Sequence, residues 1–215
     1  MTKSKKSSGK GSETTLLVLV VDRSGSMEPI RADMEGGIAT LLAEQAAEEG
    51  TCLVSMVQFD DHYELLADAV PVSELLPYKL VPRGATALLD AMGRTISAVR
   101  AEVDALTPAD RPRHIVFAVI TDGLENASQE WTHLQIMDCV KARIAEGWQF
   151  TFLGAAQDAI KEGGRVGVSG DSSLTYGSGR SREAMGSMSA SVGRMRRGEA
   201  KRLEYTEEER RRSAG

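Results

Sequence analysis

The chain has 215 residues, 41% of them hydrophobic and 27% charged, with a formal net charge of −5. That is enough chain for one α/β domain with a full core and short appendages. The acidic balance argues against nucleic acid or an anionic membrane as the main partner, and no apolar run approaches the roughly 20 residues needed to span a bilayer. Basic residues open the chain, but no hydrophobic signal region with a small-residue cleavage site follows them, so the expectation is a cytoplasmic protein. Cys52 and Cys139 have no close pairing spacing and are expected as reduced thiols. His62, His114 and His133 match no zinc spacing.

Taken in order, residues 1–13 are rich in Lys, Ser and Gly and read as a disordered basic arm. Thr14 to Asp22 is an apolar run of Leu and Val, the mark of a strand buried on both faces. It ends abruptly in Asp22-Arg23-Ser24-Gly25-Ser26. Pro29 suits a first helical turn, and Ile30, Met34, Ile38, Leu41 and Leu42 give a helical apolar face up to Glu49, with Gly50 as the stop. Thr51 to Phe59 is a second strand, Asp60-Asp61 a tight turn, and Tyr63 to Leu66 a short antiparallel edge strand.

Pro71 to Pro82 is irregular. Gly84-Ala85-Thr86 then opens a long helix with Leu88, Leu89, Met92, Ile96, Val99, Val103 and Leu106 along one stripe. His114 to Thr121 is another strand apolar on both faces, ending at Asp122-Gly123. Trp131 to Glu146 reads as a helix with Ile136, Met137, Val140 and Ile144 inward, Trp148 to Leu153 as a strand, and Ala155 to Glu162 as a short helix. Ser173 to Tyr176 is a candidate last strand. Arg180 to Arg197 is a final helix with Met185, Met188, Val192 and Met195 on one face, either packed on the sheet or forming an adaptable Met-rich groove. The alternation predicts a three-layer α/β fold: a mostly parallel central sheet, one antiparallel edge strand, and helices on both faces. The domain is expected to span 14–197. Residues 198–215 form a charged tail with a Thr206–Glu209 capping box, a short helix and little core-facing content.

In such folds ligands gather at the carboxyl ends of the strands. Asp22, Ser24 and Ser26 stand there, and their spacing of two lets the side chains converge. A carboxylate with neutral hydroxyls suits a hard divalent cation. Asp-x-Ser-x-Ser after a hydrophobic strand resembles the first element of the von Willebrand factor A family, whose metal-ion-dependent adhesion site also uses a Thr in a later loop and an Asp at a later strand end. Gly84-Ala85-Thr86-Ala87-Leu88-Leu89 is similar to the second element and Val119-Ile120-Thr121-Asp122-Gly123 to the third. Leu124-Glu125-Asn126-Ala127-Ser128 and Phe152-Leu153-Gly154-Ala155-Ala156-Gln157-Asp158 resemble a bacterial cytosolic subgroup of that family.

The resemblance implies a Rossmann-like fold and a metal shell of Asp22, Ser24, Ser26, Thr86 and Asp122. The ion expected is Mg2+, with Mn2+ or Ca2+ as substitutes, and a partner protein's Asp or Glu fills one open position. Two carboxylates at one sheet edge would repel and raise one pKa, a conflict that a divalent cation removes. Plainer roles exist for each residue: Asp22 or Ser24 as acceptors for turn donors, Thr86 as an N-cap, and Asp122-Gly123 as a simple turn. All three elements in one order argue for the metal. Glu125 reads as a residue behind the ligands, a partner contact, or more plainly a solvated loop charge.

The resemblance points to an interaction module rather than an enzyme, and among its implied roles are adaptor of an AAA+ ATPase and part of a stress-response system. The alternative is a metal-dependent phosphohydrolase using Asp22. That chemistry wants a carboxylate two residues on, where Ser24 stands. No Gly-x-Ser-x-Gly elbow is present. Gly163-Gly164-Arg165-Val166-Gly167 and Gly177-Ser178-Gly179 complete no dinucleotide fingerprint, and no Walker lysine motif exists. Arg180, Arg182, Arg194, Arg196 and Arg197 lack the interleaved aromatics of a nucleic-acid surface.

Overall fold

Two strands apolar on both faces demand a layer of helices on each side, and the fold supplies them. The structure, a computed structural model, describes residues 13–155 and 159–215. The basic arm, apart from Glu13, and the stretch Ala156-Gln157-Asp158 lie outside the described residues. Strand β1 (Thr15–Asp22) is followed by a 3-10 turn (Gly25–Ile30) and α1 (Arg31–Ala47). Then come β2 (Cys52–Phe59), β3 (Tyr63–Pro71), α2 (Leu88–Ala105), β4 (His114–Thr121), α3 (His133–Ala145), β5 (Gln149–Ala155), α4 (Ala159–Arg165), β6 (Ser173–Tyr176), α5 (Ser181–Arg196) and α6 (Glu207–Ala214). The six-stranded sheet has the order β3-β2-β1-β4-β5-β6. Every neighbouring pair is parallel except β2–β3. This is the Rossmann-like three-layer fold expected of the sequence, and its strand order reverses between β1 and β4.

Alternation along β1 divides the core in two. Leu17, Leu19 and Val21 pack with α1 and α5, while Leu16, Val18 and Val20 pack with α2 and α3. The Met face of α5 belongs to the first core: Met185, Met188, Val192 and Met195 are all buried, so it forms no exposed groove. Cys52 is buried and Cys139 half-buried, both as free thiols.

Several boundaries differ from the sequence reading. β3 runs on past Leu66 to Pro71, its pairing with β2 shifting register near Met56, and Ala69 takes a left-handed φ of 47°. Ser55 Oγ accepts the Ala69 amide at 3.0 Å, which keeps that irregular residue satisfied. α3 begins one residue after Thr132, whose capping box with Gln135 forms in full. Only Ile136 and Val140 of that helix are buried. Ile144, expected inward, is 44% exposed, because Trp148 just beyond the helix closes that end of the core.

The tail is the largest departure. The capping box of Thr206 and Glu209 does start α6. Yet Leu203 and Tyr205 are buried in the first core, and the Tyr205 hydroxyl meets Thr151 Oγ1 at 2.6 Å. Arg210 donates to the carbonyls of Gly170, Asp171 and Ser173. The segment is part of the domain. The arginines around α5 are also engaged within the chain: Arg194 with Glu209, Arg196 with the carbonyls of Gln45, Glu49 and Gly50, and Arg197 with Glu48 and Glu199.

Candidate metal centre

The site is built where two buried strands stop side by side. Val21 of β1 pairs with Ile120 of β4, so Asp22 and Thr121 are neighbours at the carboxyl edge. Thr121 Oγ1 donates to Asp22 Oδ2 at 2.6 Å, and the Ser24 amide donates to Asp22 Oδ1 at 2.6 Å. Asp22 is fully buried. The chain then turns outward. Ser24 Oγ lies 3.0 Å from Ser26 Oγ, which donates to Asp122 Oδ1 at 2.6 Å.

Thr86 arrives from the segment before α2. A Cβ placed on Gly123 would stand 3.1 Å from Thr86 Oγ1, 3.3 Å from Ser26 Oγ and 3.6 Å from Asp22 Oδ2. Three side chains from two segments therefore crowd around a glycine of a third, with Ser24 and Asp122 joined to them through Ser26. The structure brings together all five residues singled out in the sequence.

Burial governs the charges here. It pushes the Asp22 carboxyl up to about 6, against the hydrogen bonds from Thr121 and Ser24, with a smaller push from the charge of Asp122. Asp122 is raised as well, by burial, against its hydrogen bond from Ser26. Like-charge crowding, expected to be the main cause, is the lesser one for Asp22. The donor set is all oxygen, two carboxylates and three hydroxyls, and both carboxylates resist ionising alone. That chemistry fits a hard divalent cation, whose charge would hold both in the ionised form.

Residues that the sequence marked without fixing their roles hold this arrangement. The Asn126 side chain accepts the Thr86 amide at 2.9 Å, while the Asn126 and Ala127 amides donate back to the Thr86 carbonyl. Glu125 is not a solvated charge. Its carboxylate accepts the amides of Leu89, Ala127 and Ser128 and the Ser128 hydroxyl. Ser128 Oγ in turn accepts the Asp90 amide. Thus α2 starts at Leu88, and the loop after β4, not Thr86, satisfies its first amides. The Tyr176 hydroxyl donates to the Thr121 carbonyl from β6. Thr121 stood in the quoted Val-Ile-Thr-Asp-Gly element, and a polar residue ending an apolar strand was the available signal.

A second cluster, Asp60, Asp61 and His62, brings ligand atoms within 4.8 Å of one another. Asp60 is already taken. Its Oδ2 accepts from Arg23 Nε at 3.1 Å and Arg83 Nε at 2.7 Å, and its Oδ1 from the His62 amide at 2.6 Å. Burial would raise its pKa, but the Arg83 and His62 hydrogen bonds and the charge of Arg23 outweigh it and hold the carboxyl below the usual range.

No protein-family model matches the chain, and no curated protein matches it. Solved structures do. A von Willebrand factor type A protein from Catenulispora acidiphila matches with a TM-score of 0.55 at 14% identity, over 84% of this chain and 43% of that one. The proximal thread matrix protein 1 of the mussel byssus, in a structure described as having a zinc-occupied MIDAS motif, matches with a TM-score of 0.55 at 16% identity, over 86% of this chain and 46% of that one. The vWF domain of the type V pili tip protein Mfa5 from Porphyromonas gingivalis matches with a TM-score of 0.56 at 12% identity, over 83% of this chain and 95% of that one. The chain spans less than half the length of the first two. At these identities the likeness is one of architecture, and the chain shares the fold of the von Willebrand factor A domains.

Proposed function

We propose that the chain is a metal-dependent protein-interaction module of the von Willebrand factor A type. Asp22, Ser24, Ser26, Thr86 and Asp122 hold one divalent cation, Mg2+ first, and a partner protein offers it an Asp or Glu. The observation that carries this reading is the convergence of Asp22, Ser26 and Thr86 oxygens around Gly123, with Asp122 tied in through Ser26. When bound, the cation supplies a positive charge that attracts a carboxylate. The chain's own residues set how strongly. Asp22 and Asp122 neutralise part of that charge, and the three hydroxyls add oxygen donors without adding more negative charge. Ser26 and Leu124 are exposed beside Asp122, so an incoming side chain meets a polar rim and one apolar contact. Among the described residues no helix is long and apolar enough to cross a membrane.

Calorimetry with Mg2+ and Mn2+ tests the reading. The wild type is expected to bind one ion per chain, and Asp122→Ala to lose at least about tenfold in affinity, the scale on which single changes around metal sites act. Equal affinity in wild type and Asp122→Ala would refute it.

A further inference from the structure

We propose that Asp60 is a positioning residue for the metal centre, the staple that fixes the Thr86 segment against the Ser24–Ser26 loop. Its part in metal affinity rests on the reading above; its part in joining the loops does not. Asp60 follows directly on β2 and is 0% exposed. A carboxylate there must be paired to stay ionised. It is paired with residues from two of the three loops that carry the candidate ligands. Arg23 sits between Asp22 and Ser24, and its side chain is 6% exposed. Arg83 lies three residues before Thr86. Both guanidiniums donate Nε to the same oxygen, Oδ2, at 3.1 and 2.7 Å.

The backbone repeats the connection. The Arg83 amide donates to the Arg23 carbonyl at 2.8 Å, the Gly25 amide to the Gly84 carbonyl at 3.2 Å, and the Ala87 amide to the Asp60 carbonyl at 2.9 Å. Gly84 has a φ of 68°, and a Cβ there would collide with the Asp61 carboxylate, so this segment lies hard against the turn after β2. Arg23 is further held by Glu64 at 2.7 Å. Arg83, 57% exposed, has Asp60 as its ion-pair partner.

Two cations meeting at one buried oxygen stay together only while that oxygen is charged. With Asn at position 60 the guanidiniums repel, and the exposed one, Arg83, swings toward water. The segment from Arg83 to Thr86 then loses its side-chain anchor on this side and keeps the Asn126 bracket on the other. The Thr86 hydroxyl drifts from Ser26, although no metal ligand has been changed. Residues behind ligands commonly alter metal affinity by about 10- to 100-fold.

The test uses the full chain and two readouts. The first is amide hydrogen exchange by NMR in EDTA, with Asp60→Asn and, as the variant safest for folding, Arg83→Ala. Exchange at Arg83 and Gly25 should accelerate at least about tenfold in Asp60→Asn, with β1 and β4 amides such as Val18 and Ala118 unchanged; in Arg83→Ala, Gly25 should accelerate likewise. The second is Mn2+ affinity by calorimetry, expected to fall about tenfold in both variants. Unchanged exchange at Gly25 in both variants overturns the staple. So does uniform acceleration through β1 and β4, which would make Asp60 a general stability residue. Wild-type protein that binds no Mn2+ would overturn the metal reading, while the exchange data would still decide whether Asp60 joins the loops.

Discussion

Deleting residues 198–215 should destabilise the domain by at least about 5 kcal/mol and leave much of the protein unfolded or insoluble at 37 °C. Leu203 and Tyr205 are 1% and 7% exposed, and burying each such side chain is worth about 1.5–3 kcal/mol. Their loss also opens the first core, to which both belong. Thr151 Oγ1, buried against the Tyr205 hydroxyl, loses that partner at a cost of about 1–3 kcal/mol. The Gly177 amide loses the Ser213 carbonyl, and Arg194 loses Glu209. A domain holds only about 5–15 kcal/mol in total. Thermal denaturation checks this. For a chain of this size each kcal/mol moves Tm by about 2–4 °C, so a drop of about 10 °C or more is expected, and one within about 2 °C would show that the tail packs without stabilising.

The second large effect is electrostatic. Burial lifts the folded pKa of Asp22 from its ordinary 3.8 to about 6. A carboxyl raised in this way favours the folded state while it stays protonated. Its contribution is fully present below about pH 4 and is lost as the pH rises through 6. The loss amounts to about 3 kcal/mol by pH 7.5 in protein without metal, at 1.36 kcal/mol per unit. Asp22→Asn is neutral throughout and escapes it. In EDTA, the stability of Asp22→Asn minus that of the wild type should therefore grow by about 2.5 kcal/mol between pH 4 and pH 7.5. Taking the difference removes the opposite trends of Asp60 and Glu64, whose pKa values are lowered by their partners. Urea denaturation at the two pH values measures it. A difference that stays constant would show that Asp22 ionises in the fold as easily as in the unfolded chain.

The strands and the candidate ligands were legible because they rest on local signals. Val and Leu on both faces of Thr15–Asp22 and His114–Thr121 require a sheet covered on both sides, and a hydroxyl or carboxylate at the end of such a strand has one place to be. What sequence could not reveal depends on distant pairs. Arg23 looks like a surface charge between small polar residues. Asp60 and Glu64, brought alongside by the β1–β2 and β2–β3 pairings, make its burial tolerable. Glu125 reads as a loop acid until α2 is seen to begin beside it. Leu203 and Tyr205 are a short apolar pair in a charged tail, too brief for any periodicity to mark as core. Ile144 fits the helical stripe of α3, yet the stripe extends beyond the surface available to cover it.

The central claim is that one cation sits among Asp22, Ser24, Ser26, Thr86 and Asp122. Crystals grown with Mn2+ and measured for its anomalous scattering test it most directly. The expected result is a single anomalous peak bonded to oxygens of these residues, with Asp60 still between Arg23 and Arg83. A peak instead at Asp60, Asp61 and His62, or none at a concentration where calorimetry shows saturation, would contradict the account.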